Sequence, residues 1–491
     1  MKLIYGIKDR PAFGKTVVFA IQQLLAIMAA TLVVPIIING NVAGLIKDGA
    51  ITWKFTAQMS PAAALFGAGI GTIVYLLFTK FRSPVFLGSS FAFLGSMTAA
   101  FAGAVSMSVG YLGLIIGAVF AGLVYVVIAI VVKFAGVKWV GKLMPAVVIG
   151  PTVAIIGLSL AGNAVGDLQT ANAGGDYRIA VLVGLVTLAV TMICSVYAKR
   201  KSMFRLIPFI IGILAGYAFA AILTVIGIYC KVDALKVIDF SPIKALWADG
   251  VTVQTFLTRP DFTFLNVKDG FNVLSQNWSY LGTIAMAYVP VAFVVFAEHI
   301  ADHKNISTII EKDLLEDPGL HRTLLGDGVG SMAGAFFGGC PNTTYGESIA
   351  CVAISGNASV VTILTAAVGA ILVAFLAPFV AFVNSIPSCV MGGVCMALYG
   401  FIAVSGLKMI QKVDLEDNRN LFVVSVILVA GIGGLALTFG KVTITAIACA
   451  LILGILTNVM LSGKRKEEKI EEEAVEEAVE EELPPEEKTE E

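Results

Sequence analysis

The chain has 491 residues, of which 58% are hydrophobic and only 14% are charged, and its formal net charge is −1. Its mean hydropathy of +0.90 excludes a soluble domain, because so much apolar surface exceeds what a water-soluble core can hide. The composition therefore indicates one integral membrane unit.

Apolar segments recur along the chain in two groups of seven, separated by a polar stretch at residues 231–280. A helix needs about 20 apolar residues to cross a bilayer, and the segments at 324–337 and 345–354 fall short of that length. The pattern predicts an all-α polytopic membrane protein with fourteen transmembrane segments. These lie at residues 16–38, 61–79, 85–104, 112–132, 143–161, 179–197 and 206–229, and at 281–300, 324–337, 345–354, 360–383, 387–405, 421–438 and 443–461.

Positive charges collect in the loops on one side of this arrangement, which predicts that side, with both termini, to be cytoplasmic. Because each group holds an odd number of segments, the two groups run in opposite orientations, as in the inverted repeats of secondary transporters. The predicted units are a first repeat at 1–230, an extracytoplasmic connection at 231–280, a second repeat at 281–463 and a disordered acidic cytoplasmic tail at 464–491.

Two interruptions lie at matching places in the groups. Gly-Ser-Ser-Phe-Ala-Phe occupies 88–93, and Pro-Asn-Thr-Thr-Tyr-Gly-Glu occupies 341–347. Gly and Pro break helices, and broken backbone at membrane depth persists only where it is buried in protein or lines a cavity. Packing by small residues is the alternative explanation for either break alone. As a matched pair, the breaks predict a transporter's binding site.

Three carboxylates are candidates for that site. Glu298 lies near the end of its apolar segment, Asp302 follows it by one helical turn, and Glu347 follows Gly346 at the start of a short helix. Charges at membrane depth are costly and usually functional. Two alternatives stay open: Glu298 extends towards the cytoplasm, or Glu347 only caps its helix.

Phe91 and Tyr345 lie in the two interruptions, where a flat heteroaromatic ligand can stack between such rings, although core packing is the commoner role of an aromatic residue. The sequence has no phosphate-binding loop, no nucleophile–base pair and no metal-ligand spacing, so we expect neither an enzyme nor a cofactor or metal. The basic loops follow the membrane topology and lack interleaved aromatic residues, which argues against nucleic acid as a partner.

The chain resembles the bacterial uracil permeases of the nucleobase/ascorbate (nucleobase–cation symporter 2) transporter family over everything before the acidic tail. The interruptions at 88–93 and 341–347, Ala-Glu-His at 297–299, and Lys-Asp-Leu-Leu-Glu-Asp-Pro-Gly-Leu-His-Arg at 312–322 carry the resemblance. It implies two inverted repeats of seven spans, core and gate domains, and short antiparallel strands in spans 3 and 10.

The resemblance also implies a function, which is proton-coupled uptake of uracil across the bacterial inner membrane by alternating access. Glu298 and Glu347 would bind the pyrimidine and Phe91, Tyr345, Gly346 and Ala30 would frame it, while Glu298, Asp302 and Glu347 would take part in proton coupling. Uracil or a related nucleobase, protons and membrane lipid are the expected partners. A Gly-rich stretch at 431–434 suits either domain packing or a homodimer contact.

This sequence departs from similar permeases at two positions. Asp302 stands where they often carry His, with His303 displaced by one, and Gln23 occupies the place of a frequent first-span His. Purine-transporting relatives usually have Gln at the position of Glu347, so the Glu favours uracil. A xanthine or urate permease of the same family is the main alternative, and an anion transporter or a passive channel is a more distant one.

Overall fold

Helices account for most of the regular structure in the computed structural model, which describes residues 3–136, 139, 144–199, 203–248, 250–275, 277–439 and 442–462. The first half contains α1 Phe13–Lys47, α2 Pro61–Phe78, strand β1 Leu87–Ser89, a 3-10 turn at Phe91–Phe93, α3 Leu94–Ala102, α4 Met107–Ala135, α5 Ala146–Ser159, α6 Ala161–Leu168, α7 Tyr177–Tyr197, α8 Met203–Leu206 and α9 Pro208–Tyr229. The predicted tail at 464–491 lies outside the described residues.

The connection between the halves carries α10 Ser241–Ala245, α11 Val253–Phe256 and α12 Gly270–Leu274, with 3-10 turns at Asp233–Leu235 and Thr263–Val267. The second half contains α13 Ser279–Ile310, a π-helical turn at Leu315–Gly319, α14 Leu320–Gly338, β2 Asn342–Thr344, α15 Gly346–Ser355, α16 Val360–Val373, α17 Ala377–Ser385, α18 Ser388–Ile410, α19 Asn418–Ile432, β3 Leu437–Phe439, β4 Val442–Ile444 and α20 Ala446–Ser462.

Eight helices of the described part are long and apolar enough to cross a membrane, and five shorter apolar helices accompany them. The chain is therefore a mostly helical, multi-pass membrane protein. The eight are Phe13–Lys47, Pro61–Phe78, Met107–Ala135, Ala146–Leu168, Tyr177–Tyr197, Pro208–Tyr229, Ser279–Ile310 and Ser388–Ile410.

The described residues include two antiparallel strand pairs: β1 with β2, which lies at the two predicted interruptions, and β3 with β4, which the sequence did not predict. The β3–β4 hairpin follows α19, which ends at Ile432 rather than continuing to 438. Gly433 and Gly434 stop this helix, and Gly434 takes the left-handed conformation (φ +73°). The predicted segment 360–383 is two helices, α16 and α17.

The helices pack in two groups. Helices α1–α4 pack with α13–α16, whereas α5–α7 and α9 pack with α18 and α19. Small residues allow the helices of the first group to pack closely. A Cβ atom added at Gly67 of α2 would lie 2.5 Å from the carbonyl oxygen of Gly334 on α14. Such close approach is typical of helix packing in membranes, where small residues let backbones touch. The groups meet where α1 and α13 contact α5, α9 and α18.

Candidate functional site

The two predicted interruptions form one structural element. Strand β1 pairs antiparallel with β2, so that Leu87 lies opposite Thr344 and Ser89 opposite Asn342, and all residues of both strands are buried. The pairing satisfies backbone groups that a broken helix leaves open, which is what backbone at membrane depth requires. Helices α3 and α15 begin just beyond these strands.

Glu347 occupies the first turn of α15 and is half-buried. The residue before it, Gly346, is exposed, and a Cβ atom added there would meet nothing within 4 Å. The next residue, Ser348, accepts a hydrogen bond from the N–H of Phe86 (3.0 Å) and a second one from the side-chain amide of Gln23 on α1. The start of α15 is therefore fixed on one side and open on the other, beside the carboxylate.

Glu298 lies within α13 rather than at its end, since the helix continues to Ile310, about 18 Å farther along the axis. Its side chain is half-buried and interacts electrostatically with Asp302, Asp327 and Glu347. The hydroxyl of Thr344 in β2 donates a hydrogen bond to Asp302 (2.6 Å). The structure thus brings the three predicted carboxylates to the side of α13 that adjoins the strand pair.

The predicted aromatic residues border this region but are themselves packed. Tyr345 is 4% exposed, its hydroxyl donates to the carbonyl of Ser89 (2.8 Å), and its ring lies against Gly88, where an added Cβ atom would be 2.3 Å away. Phe91 is 7% exposed and meets the ring of Tyr399 on α18 edge-on at 5.6 Å. Phe91 therefore lies where the two helix groups meet.

Ala30 of α1 is 1% exposed, and the hydroxyl of the following residue, Thr31, contacts the Tyr345 hydroxyl at 3.5 Å. Ala30 is therefore the sequence neighbour of the residue through which α1 contacts Tyr345. Its small side chain leaves α1 close to the strand pair.

The family model described as Permease family matches residues 14–439. The chain is 38% identical over 466 residues to a uracil permease of Bacillus caldolyticus, covering 94% of this chain and 96% of the relative. It is 36% identical over 476 residues to a uracil permease of Bacillus subtilis (strain 168), with 95% and 97% covered. The chain belongs to the Permease family.

Membership of this family confirms the resemblance carried by the motifs and makes the chain a transporter rather than an enzyme. Solved structures show the same fold in more distant proteins. The transmembrane domain of the cyanobacterial bicarbonate transporter BicA matches with a TM-score of 0.55 at 13% identity, covering 92% of this chain and 100% of that one. The murine anion transporter Slc26a9 matches with a TM-score of 0.56 at 11% identity, covering 93% and 69%.

A buried polar network lies behind the carboxylates, and sequence analysis missed it. Asp327 of α14 bonds through Oδ2 to Nδ1 of His299 (2.7 Å), and the other ring nitrogen of His299 bonds to Thr323 (3.0 Å). His303 stacks on His299 with ring centroids 4.0 Å apart and bonds to the Tyr75 hydroxyl of α2 (2.7 Å). The sequence does contain one sign of this network, because Asp327 is a lone carboxylate inside the apolar segment 324–337.

The contacts of Thr323 bear on the protonation of the pair formed by His299 and Asp327. The Thr323 hydroxyl lies within hydrogen-bond distance of both the carbonyl of Leu320 (3.1 Å) and Nε2 of His299 (3.0 Å), and when it donates to the carbonyl its oxygen accepts from the Nε2–H. One proton then remains for the contact between His299 and Asp327. The pair is either an imidazolium with a carboxylate or a neutral ring with a carboxylic acid, and its net charge is zero in both. A neutral pair suits a position that is 0% exposed.

A small cavity between α4, α13 and α14 has room for about one water molecule. Neither Glu298 nor Glu347 borders it, so it is separate from the open space at Gly346. It is lined by Phe93, Ala121, Gly122, Tyr125, Val295, Gly328, Ser331 and Asn342.

Proposed function

We propose that the chain is a uracil transporter that imports its substrate together with protons. The observation that carries this proposal is the meeting of Glu298 and Glu347 beside the paired strands, next to open space at Gly346. The names of the relatives, uracil permeases at 33–38% identity over nearly the whole chain, support the choice of substrate.

The chemistry of the site suits an uncharged pyrimidine. Uracil offers ring N–H groups, from which Glu298 and Glu347 would accept hydrogen bonds, and carbonyl oxygens, to which N–H groups in the first turn of α15 would donate. Phe91 and Tyr345 would stand at the ring faces, with Ala30 behind Tyr345. A xanthine or urate molecule is larger than uracil, and the relatives' names do not favour it.

The transport cycle in this proposal uses the three carboxylates for proton binding. Clustered acidic groups at membrane depth commonly form proton sites in transporters. One proton moving inward gains about 2.3 kcal/mol per 100 mV of membrane potential, which suffices to concentrate a neutral solute. The α1–α4 and α13–α16 group would act as the core domain and the other group as the gate domain, moving relative to each other in alternating access.

The same proposal includes fourteen spans in two inverted repeats, at 1–230 and 281–463, joined by an extracytoplasmic connection. Eight long helices, five shorter apolar helices and α14 supply that number among the described residues. The excess of Lys and Arg in alternate loops supports cytoplasmic termini, including the 464–491 tail, in a bacterial inner membrane. A homodimer stays a prediction.

Uptake of radiolabelled uracil into proteoliposomes tests the proposal. We expect uptake by the wild type that rises when the outside is made acidic, and that unlabelled uracil suppresses but xanthine, urate and sulfate do not. Glu298→Gln and Glu347→Gln should abolish most of it, whereas Glu416→Gln, on an exposed loop, should match the wild type. Uptake that ignores the pH gradient would remove proton coupling, and suppression by xanthine would change the substrate.

A further inference from the structure

The first described residues of the chain form a strap that lies along the segment just after α15. This N-terminal strap comprises residues 3–11. The N–H groups of Ile4 and Tyr5 donate to the carbonyl of Gly356 (2.7 and 3.2 Å), and the N–H of Ala358 donates to the carbonyl of Tyr5 (2.9 Å). Tyr5 and Asn357 form a parallel β-bridge. The strap is thus held to this segment by backbone hydrogen bonds.

Two further bonds extend the pairing towards α16. The N–H of Val360 donates to the carbonyl of Ile7 (3.1 Å), and the hydroxyl of Ser359 donates to the carbonyl of Asp9 (2.6 Å). The hydroxyl of Thr16 in α1 then donates to the carbonyl of Pro11 (3.0 Å). The strap therefore runs without a break in its contacts from the end of α15 into α1.

Gly356, the residue that the strap contacts, needs to be a glycine for two reasons. It ends α15 in the left-handed conformation (φ +67°), which favours glycine, and its N–H donates to the carbonyl of Val352 (2.9 Å). A Cβ atom at this position would also lie 3.3 Å from Cγ1 of Ile4. Both the turn and the close approach of the strap therefore depend on this residue.

The strap and α1 together hold α15 at both ends. At its start, Gln23 of α1 binds Ser348, the neighbour of Glu347. At its end, the strap binds Gly356. A helix of 10 residues is too short to be stable by itself, so its orientation depends on such attachments. Anything that frees the end of α15 lets its start tilt, and Glu347 moves with it.

We propose that the N-terminal strap positions Glu347 for substrate binding by tying the far end of α15 to α1. The inference rests on the proposed function for its substrate, and it assigns the strap no contact with that substrate. Freeing the strap should weaken substrate binding while leaving the translocation step largely intact, because the carboxylate is displaced but still present.

The test uses the full chain in proteoliposomes and two ways of loosening the strap. Tyr5→Pro removes the N–H that bonds to Gly356 and also the ring that meets the ring of Phe19 at 6.1 Å. Tyr5→Ala, which loses the ring but keeps the N–H, is therefore its matched control. Ser359→Ala removes the hydroxyl that bonds to Asp9, with Ser359→Thr as its control. We expect each loosening variant to raise the KM for uracil about fivefold, equivalent to about 1 kcal/mol, with Vmax within about twofold of the wild type.

Hydrogen–deuterium exchange of the amides in 346–355 gives a readout that needs no substrate. We expect faster exchange there in Tyr5→Pro and Ser359→Ala than in their controls. Unchanged exchange together with unchanged KM would overturn the proposal, and so would an equal fall in Vmax with no rise in KM. If Tyr5→Pro does not fold, Ser359→Ala decides. If the wild type takes up no uracil, the proposed function fails, and the exchange experiment alone decides the role of the strap.

Discussion

The two faces of α13 differ in how far their polar groups are satisfied. On one face, Glu298 and Asp302 are half-buried and interact electrostatically with Glu347. On the other, His299 and His303 are 0% exposed, and each ring nitrogen has a partner within 3.0 Å. In the proposed function these adjacent residues of one helix have opposite roles. The open face, with Glu298 and Asp302, would receive the ligand, and the satisfied face, with His299 and His303, fixes the helix.

The difference matters because a binding carboxylate must be both available and held in place. Among the described residues, the carboxylate of Glu298 is paired with no cation and accepts no hydrogen bond. Its helix is nevertheless bonded to α14 through His299 and to α2 through His303. The satisfied face thus restricts rotation of α13, the helix that carries Glu298.

The largest expected effect is at Asp327 of α14, the partner of His299 on the satisfied face. Asp327→Ala should lower the free energy of unfolding by about 3 kcal/mol, because it removes one partner from a fully buried hydrogen-bonded pair. Asp327→Asn should recover much of this loss, since its amide N–H can donate to Nδ1 of a neutral His299. The measurement is the thermal unfolding midpoint in detergent. Equal midpoints for the Ala variant and the wild type would contradict the role given to this face.

A substitution on the open face should lower transport activity and leave the unfolding midpoint nearly unchanged. Glu298→Gln should lower kcat/KM for uracil about 30-fold, or about 2 kcal/mol, because a charged acceptor is replaced by an amide. Its unfolding midpoint should stay near that of the wild type, since the carboxylate has no protein hydrogen bond to lose. A large loss of stability with normal kcat/KM would reverse the assignment of the two faces.

Sequence analysis identified the carboxylates of the open face and missed the polar network of the satisfied face for a physical reason. Glu298 and His299 are neighbours in sequence, and hydropathy treats them alike, yet they point about 100° apart on a helix. Which direction faces α14 depends on tertiary packing, as in the close approach of Gly67 to Gly334. Asp327 could have been identified by the rule that selected Glu298, because both are charged residues in apolar segments.

Fold prediction failed where a helix breaks or ends without a polar residue to mark the change. Long apolar runs such as 112–132 correspond to one helix, α4. The run 360–383 is divided at Ala374 to Leu376, although no polar residue marks the break. The hairpin of β3 and β4 follows two glycines whose effect on backbone conformation hydropathy does not record.

A smaller effect is expected where the open face is attached to the strands. Thr344→Val removes the donor to Asp302 while keeping the shape of the side chain, and should lower the free energy of unfolding by about 1 kcal/mol. We expect the KM for uracil to rise about fivefold, because β2 and the start of α15 lose one attachment to α13. Thr344→Ser, which keeps the hydroxyl, is the matched control. A Val variant with the KM of the Ser variant would show that this bond does not position the site.

The smallest effect is expected outside the candidate membrane-spanning helices, where Asp317 binds Lys312 (2.6 Å) and Arg82 (2.5 Å). The Lys312 ammonium and the Arg82 guanidinium hold the pKa of Asp317 below its usual value. Stability from these bonds is therefore present at neutral pH and is lost as the pH falls through the lowered pKa of the folded state. Because all three side chains are partly exposed, solvent screens the attraction, and Asp317→Asn should change the neutral-pH unfolding midpoint less than Thr344→Val does.

The difference in unfolding midpoint between Asp317→Asn and the wild type should shrink further in acid. A difference that grows as the pH falls would mean that Asp317 stabilises the folded chain when it is protonated, contrary to the direction of its pKa.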